Sequence, residues 1–182
     1  MRRNIFSRLN YNKYTAGSGV GAVSISNRAA LNRRALKTCY NNNSVPGIRY
    51  IKVFFPQPTD GIIQISQILV YSNGVNIAPN GTASAANFLG DDSVINKPID
   101  GILGTIETRD YPEIYHSIQP SNFGYWLLDL GKEFIVDQIV YYNRNGYVDR
   151  AIGMAINTYD NNFSVPLNQF ILNNGLIQTF SL

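Results

Sequence analysis

The side chains with the greatest chemical reach in this chain are one histidine and two arginines in its second half. His116 stands in Tyr115-His116-Ser117, Arg144 follows the apolar run Ile139-Val140-Tyr141-Tyr142, and Arg150 comes just before Ala151-Ile152-Gly153. Imidazole and guanidinium groups present several donors in fixed directions, which suits oxygen-rich ligands such as adjacent sugar hydroxyls. The same groups also brace folds. An arginine at the base of a hairpin commonly bonds carbonyls or a carboxylate, here Asp149 or Asp129, and packs its stem on aromatic rings. A loop histidine is as often simply hydrogen-bonded in place. Catalysis has less to build on. His116 and Cys39 are the sole residues of their types, no glycine-rich phosphate loop is present, and no His/Cys spacing suits a metal. Asp91-Asp92, Asp100, Glu107 and Asp110 suggest paired carboxylates for glycosidic cleavage, yet they lie in polar loop sequence where solvated surface acids are ordinary. The chain therefore reads as a non-enzyme.

Charge divides the chain in two. Residues 1–46 hold Arg2, Arg3, Arg8, Lys13, Arg28, Arg33, Arg34 and Lys37 and no acid, which leaves seven of the 15 Lys/Arg against all 12 acids in residues 47–182. The chain thus splits into a basic N-terminal arm and linker, 1–46, and a second segment, 47–182, with a balance of −5. At 182 residues it is long enough for one well-buried domain and an appendage. Only 15% of residues are charged, well below the usual quarter, so much of the surface is uncharged or covered by neighbours. Cys39 alone cannot make an intramolecular disulfide, no apolar run reaches transmembrane length, and no secretory signal is expected behind Arg2-Arg3.

Within the arm, Thr15-Ala16-Gly17-Ser18-Gly19-Val20-Gly21 is small and glycine-rich, with nothing periodic to bury. Ser26 is a suitable N-cap for a short basic helix from about Asn27 to Thr38, with its positive charges toward the C-terminal end. Arg49 onward is β in character. Arg49–Phe55 alternates, Gly61–Gly74 ends in an Asn-Gly turn, and Tyr125–Gly146 reads as two strands joined across Gly131-Lys132. Asn145-Gly146 reads as a hairpin turn, and Trp126, central in its strand, as core. The polar stretch from Pro79 to Asn122 reads as a loop rim. Short strands at this spacing indicate an all-β antiparallel sandwich or barrel.

The order "RYIKVFF", "IIQISQILVYSNG", "PIDG", "YHS", "YWLLDLG", "IVYYNR" and "RAIG" resembles the coagulation factor 5/8 type C, or discoidin-like, family, and within it the fucolectin branch of galactose-binding-like domains. The resemblance implies a jelly-roll β-sandwich that binds rather than catalyses. It also implies a fucose-like sugar held by His116, Arg144 and Arg150, and a calcium ion at Asp100. Asn145-Gly146-Tyr147-Val148 replaces the family's Asp-Cys-Cys, and Ile102 and Gln67 replace two further calcium-site residues, an Asn and a Glu. Calcium gains most from charged oxygen ligands, so these exchanges count against the ion.

The segment from Tyr14 to Cys39 is also similar to N-terminal segments of large DNA virus virion proteins. Together these features suggest a minor capsid protein, assembled in the host cytoplasm and resident in the virion, whose arm links neighbouring capsid subunits. The other reading is a carbohydrate-binding module with a glycan partner. Nucleic acid and membrane are weaker partners for the arm, because its basic residues are sparse and its helix has no large apolar face.

Overall fold

The computed structural model of the protein describes residues 46–102, 109–118 and 124–182. The eight basic residues of the arm, the helix expected from 27 to 38, and Glu107 lie outside the described residues. What is described is an all-β antiparallel sandwich. The described residues form eleven strands: β1 (Ile48–Phe54), β2 (Gln64–Ile65), β3 (Gln67–Ser72), β4 (Val75–Asn76), β5 (Thr82–Ala85), β6 (Tyr115–His116), β7 (Tyr125–Phe134), β8 (Gln138–Tyr142), β9 (Ala155–Tyr159), β10 (Asn168–Ile171) and β11 (Ile177–Ser181). One sheet has the order β10-β9-β1-β7-β5, the facing sheet β11-β8-β3-β4, and β2 pairs with β6 in a small two-stranded ladder.

Alternation along the strands builds the core. Ile51 and Val53 of β1, Trp126 and Leu128 of β7, and Ile156 of β9 point inward from the first sheet. Ile68 and Val70 of β3, with Ile139 and Tyr141 of β8, point inward from the second, and all nine are fully buried. With side chains two apart on one face, each strand offers one apolar row to the opposing sheet. Trp126 is core, as its position implied, and its indole N–H donates to the Ile95 carbonyl at 2.8 Å.

Three local readings change. β7 does not end at Gly131-Lys132 but runs through to Phe134. Gly131, at φ +81°, lies where the β1–β7 register shifts, so this glycine makes a bulge and not a turn. The segment 139–153 is not a hairpin either. β8 lies in one sheet and β9 in the other, so the chain crosses the sandwich through a turn at Asn145-Gly146 and a 3-10 helix, Val148–Ala151. The polar stretch after Pro79 contains β5, the 3-10 helix Asp92–Ile99 and β6. Its regularity is short enough to leave no periodic signal. By contrast, Asn73 and Gly74, at φ +50° and +74°, make the expected turn between β3 and β4.

Leu128→Ala is expected to cost about 2–5 kcal/mol in urea unfolding, since it opens a cavity between the sheets. Gly131→Ala has open space around the new methyl group and is expected to cost only the backbone strain, about 1–2 kcal/mol.

Candidate functional site

His116, Arg144 and Arg150 are brought together, although three different parts of the chain deliver the cluster. His116 is fixed by β6 pairing with β2, directly opposite Gln64. Arg144 leaves β8 immediately after Asn143, which is fully buried and donates from its side chain to the Val148 carbonyl at 2.8 Å, closing the crossover. Arg150 sits in the last turn of the 3-10 helix that this closure supports.

The three side chains converge on one atom. With its carbonyl turned toward them, the buried Gln64 amide accepts from Arg144 Nη1 at 2.7 Å and Arg150 Nη1 at 2.8 Å, and His116 Nε2 lies 2.8 Å away. Tyr147 lies alongside, its ring centroid 4.0 Å from the Arg144 guanidinium carbon and 4.4 Å from that of Arg150. Arg144 Nη2 is paired with Asp110 at 2.6 Å. The expected carboxylate partners, Asp149 and Asp129, are not used by Arg144. Asp129 instead holds Arg49 across β1 and β7 at 2.8 Å and 2.9 Å. Because 139–153 crosses between sheets, Arg144 meets the segment ahead of β6 and not the strand beside it. A cleft of about 190 Å³ lined by Asp60, Gly61, Ile62 and Arg150 adjoins the cluster. The Nε of Arg144 is buried without a hydrogen-bond partner.

The protonation of His116 sets the electrostatics. Its Nδ1 lies 2.7 Å from the Ser117 carbonyl and so carries a proton there. The contact from Nε2 to Gln64 becomes a hydrogen bond only if Nε2 is protonated too. Burial, the largest influence, opposes that second proton; the Ser117 carbonyl favours it, Arg144 and Arg150 oppose it and Asp110 favours it, and the net effect holds the imidazole below its ordinary value. Asp110 is held below the ordinary carboxylate range. Burial works against this, but the Tyr111 backbone N–H and Arg144 together outweigh it.

Three of the candidate catalytic carboxylates, Asp91, Asp100 and Asp110, are engaged structurally. Asp91 caps the 3-10 helix by accepting from the Ser93 backbone N–H at 2.9 Å, and Asp110 accepts from that of Tyr111 at 2.6 Å. Asp100 belongs to a second cluster, which the sequence reading missed. Arg109, with its side chain 2% exposed, donates to both Asp100 oxygens and to Gln67 Oε1. A calcium ion does not fit here, because the guanidinium already takes up these oxygens and Asp100 is the one carboxylate among them. Among the described residues no three His, Cys, Asp or Glu side chains converge as a metal site would require. Gln64 was equally unforeseen. The polar residues Gln64, Ser66 and Gln67, interrupting an otherwise apolar run and all buried, were the available signal for both clusters.

Acidification is expected to destabilise the protein through His116. Its folded pKa lies below the unfolded value of about 6.5, so its contribution is complete above that pH and is lost as pH falls toward the folded value. Melting temperature should therefore fall as pH drops below about 6.5, ahead of the carboxylates, whose depressed values place their effect lower still. His116→Asn should flatten that part of the profile.

No family model matches the chain, and no curated protein or solved structure matches it.

Proposed function

We propose that this chain is a non-enzymatic structural protein in which a rigid β-sandwich carries a basic arm, residues 1–46, that binds acidic or polar surfaces of neighbouring subunits. The observation that carries this reading is the use of cations. Each of the seven Lys/Arg of residues 47–182 has a partner within the sandwich. Arg49, Lys97, Arg109 and Arg144 pair with Asp129, Glu113, Asp100 and Asp110. Lys52, Lys132 and Arg150 lie over the rings of Phe54, Phe134 and Tyr147. The arm, by contrast, carries eight cations and no acid of its own in its sequence. A minor capsid protein of a large DNA virus, resident in the virion and linking capsid subunits through Arg2, Arg3, Arg8, Lys13, Arg28, Arg33, Arg34 and Lys37, is the assembly role this pattern suits.

A carbohydrate-binding reading draws on a different observation. Two guanidinium donors and an imidazole nitrogen within 2.8 Å of one oxygen, beside an exposed tyrosine ring, match the way a sugar hydroxyl is held. In this protein the oxygen belongs to Gln64, so a sugar would have to displace the side chain that now satisfies the donors.

The two readings separate on a glycan array probed with the full chain and its Arg144→Ala and Gln64→Ala variants, each also followed by thermal melting. The structural role predicts no selective glycan binding by any of them, with Arg144→Ala destabilised by about 1–3 kcal/mol from the broken buried network. Selective binding by the parent, lost in a folded Arg144→Ala, would overturn it. In infected cells the full chain should copurify with particles, and a chain lacking residues 1–46 should not.

A further inference from the structure

The surroundings of Arg109 are those of a cation site. Six oxygens face its two terminal nitrogens. Nη1 lies 3.1 Å from the Ser66 carbonyl, 2.6 Å from Gln67 Oε1, 3.3 Å from Asp100 Oδ1 and 3.2 Å from the Ile102 carbonyl. Nη2 lies 2.7 Å from Asp100 Oδ2 and 3.4 Å from the Lys97 carbonyl. Two terminal nitrogens bear four N–H groups, so the oxygens outnumber the protons directed at them. An arginine brace usually finds one carboxylate or a pair of carbonyls. A part-buried shell of carboxylate, amide and main-chain oxygens drawn from two stretches, 66–67 and 97–102, is the donor set that a hard divalent cation takes.

We propose that the Arg109 guanidinium serves as a built-in cation, closing an oxygen cage of the calcium-binding type and making the fold independent of added metal. Charge balance fits a monovalent group. Among the described residues Asp100 is the one carboxylate in contact with the guanidinium, so a divalent ion in the same shell would keep an excess positive charge in a part-buried place. Gln67 fits as well. Its Oε1 makes the shortest contact to Arg109, while its Nε2 is buried without a partner. A glutamate here would remove that orphaned donor but leave a second carboxylate facing a single positive charge. The identities at 67 and 109 therefore belong together. The cage also joins the start of β3, the end of the 3-10 helix Asp92–Ile99 and the segment leading to Asp110 and His116, so Arg109 positions one wall of the candidate site.

The test is differential scanning fluorimetry of the full chain and three variants, Arg109→Ala, Arg109→Lys and Arg109→Ala/Gln67→Glu. Each is melted in EDTA, in millimolar calcium chloride, in millimolar methylguanidinium chloride, and in sodium chloride of matched ionic strength. The parent should melt at one temperature in all four. Arg109→Ala should melt lower and recover part of the loss in methylguanidinium. The double variant, with two carboxylates and an open cage, should rise by about 5 °C or more in calcium alone. Should Arg109→Ala fail to fold, Arg109→Lys carries the test: a cation of the same charge with fewer donors should keep a folded, calcium-insensitive protein. Calcium raising the parent's melting temperature would overturn the proposal. So would a folded double variant that ignores calcium, or a lysine variant that does not fold.

Discussion

A buried guanidinium is the constraint around which one end of this sandwich is arranged. Removing a charged group from water costs several kcal/mol, and the cost is offset only when the surrounding oxygens are already in place. Arg109 therefore makes demands on segments distant in sequence. Ser66 and Gln67 must present oxygens where β2 gives way to β3. The 3-10 helix must end so that Lys97 and Asp100 face the same point, and Ile102 must turn its carbonyl back. These demands reinforce one another, since each segment's position is the condition for the others' hydrogen bonds. The break between β2 and β3 is then accounted for. At Ser66 the backbone carbonyl points to Arg109, while the Ser66 N–H bonds to the Tyr142 carbonyl at 3.0 Å.

The candidate site inherits its geometry from that arrangement. Asp110 is the residue after Arg109 and meets Arg144; β6 follows and brings His116 opposite Gln64. Three basic side chains placed this close would repel, and the protein meets the difficulty in three ways. Asp110 neutralises one arginine, the Tyr147 ring offers its π face to both, and burial favours the neutral form of the histidine. The remaining positive charge is directed at a neutral carbonyl. A carboxylate at position 64 would be the stronger electrostatic partner for two arginines. The amide instead leaves the cluster with net positive charge, moderated by its partners and not cancelled.

The sequence made the strands and the core legible because both depend on nearest neighbours. Alternation in β1 and β7 placed Ile51, Val53, Trp126 and Leu128 inside, and Asn73-Gly74 marked its turn through the φ values that only such residues adopt readily. The types of the site residues were legible too. Their partners were not. Arg109 reaches Gln67 across 42 residues and Ser66 across 43, and no local spacing encodes such a contact. Gly131 was misread because a bulge and a turn ask the same thing of a glycine, a positive φ, and differ only in what the neighbouring strand does. The hairpin at 139–153 was misread for a related reason. An Asn-Gly pair between two apolar runs fixes the turn but not the sheet to which the second run returns.

Charge distribution gives the two parts of the chain different physical characters. In the sandwich each cation is spent on a specific neighbour, several of them far apart in sequence, so those charges act as fasteners. The acids outnumber them, and Asp92, Glu133, Asp137 and Asp149 are among those at the surface. Residues 1–46 have the opposite composition, eight positive charges and no acid. Attraction between opposite charges reaches only about 8 Å through physiological salt, so it selects surfaces already nearby and does little to recruit distant ones. Under the proposed role, a segment of that composition would make contacts between subunits that other forces have already brought together.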